Sequence, residues 1–233
     1  MGFLDWLIGG KEEPDEQNVS DSRTAHSIDV DSIKSDDLSL TSIEYDGERY
    51  SCQASVSPNE EYVVAYQDGR RAGGNPEPGR IFLFHNNDLK LTEEIERPNE
   101  AAVSDRGVFS VVDWEFGWGG GDDNLSGKLH VFDSDGLIFD HEFEANLGPT
   151  AITPNGKFVA VSTFNPDCTT YIFDVEDGGL VAQHENKDGN KQGLEFETRD
   201  GDPCLMLSDS PDEDPYYGID LSGDIVWRSE KLE

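Results

Sequence analysis

The chain has 233 residues, enough for one or two domains, and carries 50 Asp and Glu against 17 Lys and Arg, a formal net charge of −33 at pH 7 and a pI near 4.1. So acidic a balance disfavours binding to nucleic acid or to an anionic membrane surface, because phosphate contacts need clustered Lys and Arg. The 12 Phe, 7 Tyr and 4 Trp exclude the other extreme, a wholly disordered acidic chain, since such chains are poor in aromatics.

Self-repulsion at this charge destabilises a compact state at low ionic strength, so the composition suits a medium in which salt screens charge over short distances. A salt-accumulating cytoplasm, as in halophilic archaea and their viruses, is the expected setting. No apolar run is long enough to span a bilayer and no basic or twin-arginine leader opens the chain, which also leads us to expect a cytoplasmic protein. Cys52, Cys168 and Cys204 are widely separated with no Cys-x-x-Cys pair, so neither a zinc site nor a disulfide framework is expected. They read as buried free thiols.

Residues 1–10 form an apolar peptide in which Phe3, Leu4, Trp6, Leu7 and Ile8 would make a turn or two of helix, too short to be stable alone. The peptide either packs on the body of its own domain or docks on a partner or a membrane interface. Residues 11–38 are polar and acidic, with few aliphatic side chains, and cannot bury enough apolar surface to offset the entropy of ordering; a disordered linker is predicted. From residue 39 the pattern becomes β, and one domain over 39–233 is expected. Ser42 to Tyr45 alternate up to Asp46-Gly47, a hairpin signal, and Arg49 to Ala54 lead into the first of several repeated turns.

Ser57-Pro58-Asn59 before Tyr62-Val63-Val64-Ala65, Ser104-Asp105-Arg106-Gly107 before Phe109-Ser110-Val111-Val112, and Thr153-Pro154-Asn155-Gly156 before Phe158-Val159-Ala160-Val161 recur about every 48 residues. The second half of each unit is as regular. Runs ending in Phe84, Phe132, Phe173 and Ile219 each meet a turn, at Asn86-Asn87, Asp135-Gly136, Asp177-Gly178 and Ser222-Gly223, and a returning apolar strand follows. A fourth unit opens more weakly, with Leu194 to Glu197, Asp200-Gly201 and Cys204 to Leu207. Every unit is thus predicted to be a four-stranded antiparallel meander.

With these motifs in view, residues 50–233 resemble the WD-repeat-like and lactonase-like β-propeller superfamily, in which such a unit is one blade. The Trp-Asp pair of WD repeats is absent, replaced by Phe132-Asp133 and Phe173-Asp174, and Leu221 to Trp227 are similar to quinoprotein-type blades. The resemblance implies an all-β propeller of about four blades, either a small ring closed by the strand around Leu40 to Tyr45 or an arc completed by another chain.

In such a blade the turns after the first and third strands lie on one face, and the second-to-third loops and blade connections lie on the other. The long segments here, 67–79, 114–124, 164–167 and 208–215, fall on the second face, which is where binding is expected. Trp114, Phe116 and Trp118 among glycines suit a partner surface, or else fold back into the channel. Arg70 and Arg71 stand out in so acidic a chain and could fork onto a carboxylate of a ligand or of a neighbouring loop. Asp122, Asp123, Asp209, Asp212, Glu213 and Asp214 lack EF-hand order and read as solvated acidic loops. The five His show no metal spacing and no recurring acid partner, and no Gly-x-Ser-x-Gly elbow occurs, so no metal, cofactor or catalytic residue is assigned. The sequence reads as a non-enzymatic module for a protein partner, homo-oligomers included. The alternatives are a lactonase-like or quinoprotein-like enzyme or ligand binder, and a structural subunit of a larger assembly.

Overall fold

A computed structural model describes residues 41–72, 75–115, 126–164 and 166–229, with backbone only at 71, 72 and 75. The apolar peptide 1–10 and the linker 11–38 lie outside the described residues. In the first sheet, β1 (Thr41–Tyr45) and β2 (Glu48–Val56) form a hairpin whose Asp46 and Gly47 take the positive φ values of 52° and 79° that a two-residue turn demands. β3 (Tyr62–Gln67) follows, and then a small ribbon of β4 (Arg70–Ala72) and β5 (Asn75–Glu77). β6 (Gly79–His85) and β7 (Asp88–Ile95) complete the order β1-β2-β3-β6-β7.

The other three sheets are four-stranded meanders, antiparallel throughout. The second holds β8 (Pro98–Val103), β9 (Phe109–Asp113), β10 (Gly127–Asp133) and β11 (Gly136–Phe143). The third holds β12 (Leu147–Ile152), β13 (Phe158–Thr163), β14 (Thr169–Asp174) and β15 (Leu180–Glu185). The fourth holds β16 (Gly193–Arg199), β17 (Asp202–Ser208), β18 (Tyr217–Ile219) and β19 (Ile225–Arg228). No helix occurs among the described residues.

These four sheets, the blades expected from the sequence, pack face to face. The second strand of each blade is covered on both faces, so β3, β9, β13 and β17 read as nearly unbroken apolar runs rather than as alternating ones. Three buried clusters join successive blades. Val64, Ile81 and Leu83 of the first meet Val103, Phe109 and Val111 of the second. Val112, Leu129 and Val131 of the second meet Leu147, Val161 and Phe173 of the third. Ala160 and Ile172 of the third meet Leu205, Tyr217 and Ile219 of the fourth.

Among the described residues no buried cluster joins the fourth blade to the first. The strand expected to close a ring, β1, pairs instead with β2, and their hairpin lays Ile43, Tyr45, Tyr50 and Cys52 over Val63, Ala65, Phe82 and Phe84 on the free face of the first blade. Arg80 stacks over the Tyr45 and Tyr50 rings at 5.5 and 5.7 Å and pairs with Glu94. On the opposite face of the fourth blade, Trp227 lies in register with Gly218 beside buried Cys204 and Met206. Arg199, held by Glu197 at 3.0 Å, covers the Trp227 ring at 4.6 Å. Burial pushes the Cys52 thiol up to about 12, so it is inert packing. None of the three cysteines is in a disulfide, and Cys168 is only half-buried.

The recurring Ser or Thr of the turns has a local cause. Ser57 Oγ accepts from the Tyr62 N–H at 3.0 Å, Ser104 Oγ from Val108 at 3.1 Å, and Thr153 Oγ1 from Lys157 and Phe158 at 3.0 and 2.9 Å. One hydroxyl thus satisfies the backbone that re-enters the second strand. The turns are also chained together: the Asn59 N–H donates to Asp105 Oδ1 at 2.7 Å, and the Asp105 N–H donates to the Pro154 carbonyl at 2.9 Å. Gly107 sits at this junction with φ 75°, and a Cβ there would lie 2.5 Å from Tyr62 Cε1 of the preceding blade. Gly107→Ala combines a left-handed backbone with this clash, and a loss of roughly 2–3 kcal/mol in chemical denaturation is expected. A loss below about 0.5 kcal/mol would show that the turn chain is dispensable.

Each third-to-fourth strand pair carries a bulge at the same place, so that Lys90, Ile138, Val181 and Val226 have no direct partner across the pair. A bulge twists an outer edge away from further pairing.

Candidate functional site

The long connections gather at the blade end opposite the chained turns. Their backbones are pinned to the blades: the Gly79 N–H donates to the Glu96 carbonyl at 3.1 Å, Trp114 to Arg97 at 3.1 Å, Phe164 to Asn146 at 2.7 Å and Gln192 to Ser208 at 3.0 Å. Arg70 sits on the β4–β5 ribbon and pairs with Glu77 directly across it at 2.6 Å, so its carboxylate partner comes from its own loop. Arg71 pairs by backbone with Pro76, and its side chain lies outside the described residues. So do Phe116 and Trp118.

Trp114 is half-buried. Its indole Nε1 donates to the Leu147 carbonyl of the third blade at 2.9 Å, its ring packs on the cluster between the second and third blades, and Arg97 stacks over it at 5.9 Å. Arg97 in turn forks onto Asp68 at 3.3 and 3.1 Å. A similar post stands beside the fourth blade, where the fully buried Lys191 donates to Asp209 at 2.6 Å and lies against the rings of Tyr216 and Tyr217. The acidic residue Asp209, predicted to be solvated, is thus one half of an ion pair. The stretch containing Asp122 and Asp123 lies outside the described residues.

A groove of about 400 Å³ opens between the first and second blades, with Ile95, Phe132 and Leu137 as its apolar part and Glu93, Glu94, Glu96, Glu115 and Asp140 among its walls. Asp113 and His130 line it together, so one of the histidines has an acid neighbour, though not one that recurs from blade to blade. Their proximity comes from pairing: β9 and β10 place Val111 opposite His130 and Asp113 opposite Lys128. His130 Nε2 lies 3.5 Å from Asp113 Oδ2, an ion-pair distance too long for a full hydrogen bond, and that nitrogen is buried without a hydrogen-bond partner. Asp113 Oδ1 accepts the N–H groups of Arg97 at 2.8 Å and Glu115 at 2.9 Å. Burial pushes the Asp113 carboxyl up, but the adjacent imidazole and these two N–H groups outweigh it and hold the carboxyl below its usual range.

This depressed value fixes the sign of a pH effect. Stabilisation by Asp113 is complete above the unfolded pKa of about 3.9 and is lost as pH falls through the folded value. Asp113→Ala strands two backbone donors, and a loss of about 2–4 kcal/mol is expected at pH 7. Asp113→Asn keeps the acceptor, so about 1 kcal/mol is expected, with a shallower acid limb in stability against pH. Equal losses from the two variants would show that the backbone contacts do not matter.

On β8, the Glu100 carboxyl is pushed up by burial. Among the described residues no group of three or more His, Cys, Asp or Glu is placed to hold a metal ion, and no helix is long and apolar enough to cross a membrane.

No family model matches the chain, and no curated protein matches it. Solved structures do. BamB from Moraxella catarrhalis is similar at 16% identity over 74% of this chain and 47% of its own, with a TM-score of 0.49. Hsv2 from Kluyvelomyces marxianus is similar at 17% identity over 79% and 54%, with a TM-score of 0.48. A chain of a mitotic checkpoint complex is similar at 10% identity over 81% and 62%, with a TM-score of 0.51. The fold is a β-propeller. This chain spans 47–62% of the length of those three, and at such identities the likeness concerns fold alone. Of the propeller's site residues, sequence reasoning missed Asp113, His130 and Lys191; the signal for the first two was the β9–β10 pairing, in which acid and imidazole fall two residues out of register on one face.

Proposed function

We propose that the domain is a non-enzymatic interaction module that receives a protein partner on its loop-rich face. The observation that carries this reading is that the long connections of all four blades leave from one end and that their described parts are pinned there by backbone hydrogen bonds, which makes a rigid platform. Arg70, Arg71, Trp114, Phe116 and Trp118 belong to this face. Trp114 acts as the pillar of its loop, which leaves Phe116 and Trp118 as the contacting aromatics. Such anchors typically carry most of an interface's free energy.

The test is capture of a partner by the immobilised full chain at molar KCl. Trp118→Ala with Phe116→Ala should reduce capture at least about tenfold, as loss of a hot spot of about 1.4 kcal/mol or more does. Asp135→Ser, in a turn on the opposite face, should leave it unchanged. Equal capture by both variants would remove the assignment of the face. A second reading, a small-ligand binder, rests on the groove with Asp113 and His130; a metabolite-induced rise in melting temperature that His130→Gln abolishes would favour it.

A further inference from the structure

The large hydrophobic side chains exposed among the described residues are Leu137, Ile138, Leu180, Val181 and Val226, at 53, 37, 52, 38 and 55%. They are not scattered. Ile138, Val181 and Val226 are the bulged residues of the second, third and fourth blades, and Leu137 and Leu180 directly precede two of them. The outer strands β11, β15 and β19 therefore present one repeated apolar stripe along the rim, beside the turns between third and fourth strands. Adjacent rims touch: a Cβ on Gly178 would meet Phe139 at 3.1 Å, and one on Gly223 would meet the Gln183 carbonyl at 2.6 Å. In the first blade the stripe ends, because the bulged residue is Lys90 and the half-buried Leu89 packs under the β1–β2 hairpin. An apolar stripe repeated over three blades of so acidic a chain is an interaction surface.

We propose that its occupant is the chain's own apolar segment, Phe3-Leu4-Asp5-Trp6-Leu7-Ile8, which lies outside the described residues. Length selects for the tethered segment. Residues 9–40 form a link of 32 residues between it and β1. A flexible link of that size reaches about 30 Å on average, and more when its charges repel. The folded body has a radius of about 20 Å, so the whole rim is within range. Tethering gives an effective concentration on the order of millimolar, enough for a small apolar contact that would be negligible between separate molecules. Five apolar side chains among six residues, with Asp5 as the only charge, match a stripe made of Leu, Ile and Val. This contact is independent of the loop-rich face and stands whether or not that face binds a partner.

The experiment uses the full chain at molar KCl with Cys168→Ser, which leaves only the buried Cys52 and Cys204, and with Asp5→Cys carrying a nitroxide. Methyl resonances of Leu137, Ile138, Leu180, Val181 and Val226 are expected to lose at least about half their intensity, while those of Val63 and Val64 in the first blade keep theirs. Leu180→Asp with Val181→Asp, both exposed and therefore harmless to the fold, should restore the signals of Leu137, Ile138 and Val226. Undiminished rim signals would overturn the proposal. So would equal losses when spin-labelled and isotope-labelled chains are mixed, which would make a second copy the occupant. Losses that appear only on adding neutral phospholipid vesicles would make the occupant a lipid surface and overturn it too.

Discussion

Lowering the salt from 1 M to 10 mM is expected to reduce the melting temperature by roughly 10 °C or more. The net charge of −33 leaves most surface carboxylates with a like-charged neighbour. Two such charges about 8 Å apart in water repel by about 0.5 kcal/mol without salt. At 1 M the screening length is about 3 Å and nearly all of this vanishes, whereas at 10 mM it is about 30 Å and nearly all remains. Summed over the uncompensated charges, and allowing for the share that persists in the unfolded chain, several kcal/mol of folding free energy depend on salt. At about 2–4 °C per kcal/mol for a chain of this size, the shift is large enough to read by circular dichroism. An unchanged melting curve across the series would show that the paired cations, Lys191 with Asp209 and Arg97 with Asp68, already relieve the repulsion, and it would sink the proposal that the protein is adapted to a salt-rich cell.

Trp114→Ala is expected to cost about 2–4 kcal/mol, because a half-buried indole leaves the junction of the second and third blades and strands the Leu147 carbonyl. Trp114→Phe keeps most of the packing and loses only the hydrogen bond, so about 1 kcal/mol is expected. The contrast separates two roles for the aromatic loop. If Trp114 were a freely projecting contact residue, both variants would melt like the parent and only partner capture would fall. Urea denaturation of the two variants beside Trp118→Ala reads this directly, with Trp118→Ala expected to leave the midpoint unchanged.

The architecture was legible because it repeats. Ser57, Ser104 and Thr153 mark turns whose hydroxyls cap the returning backbone, and the apolar runs after them are unbroken because those strands are covered on both sides. The fate of β1 was less legible, since a hairpin signal at Asp46-Gly47 fixes the turn and not the surface on which the hairpin lies. Site geometry was hardest to read. Trp114 stood out as a loop aromatic, yet its acceptor, the Leu147 carbonyl, belongs to another blade. Asp113 and His130 are separated by 16 intervening residues, and only the pairing of β9 with β10 brings them together. The rim stripe did have a visible trace: Leu137-Ile138, Leu180-Val181 and Ile225-Val226 put two apolar residues side by side where a strand would alternate, as a bulge does.

The covered faces at the two ends of the blade stack bear on how such a chain can change in length. In a closed ring the number of blades is set by the angle each contributes to a full turn, so one unit cannot be gained without re-angling all the others. Here the β1–β2 hairpin with Arg80 covers a face of the first blade, and Arg199 covers Trp227 on a face of the fourth. The contacts of Arg80 with Tyr45 and Tyr50, and of Arg199 with Trp227, lie within a single blade. Duplication of an interior unit of about 48 residues, from one chained turn to the next, would therefore yield a longer arc with the same terminal covers, making blade number a heritable variable rather than a geometric constant.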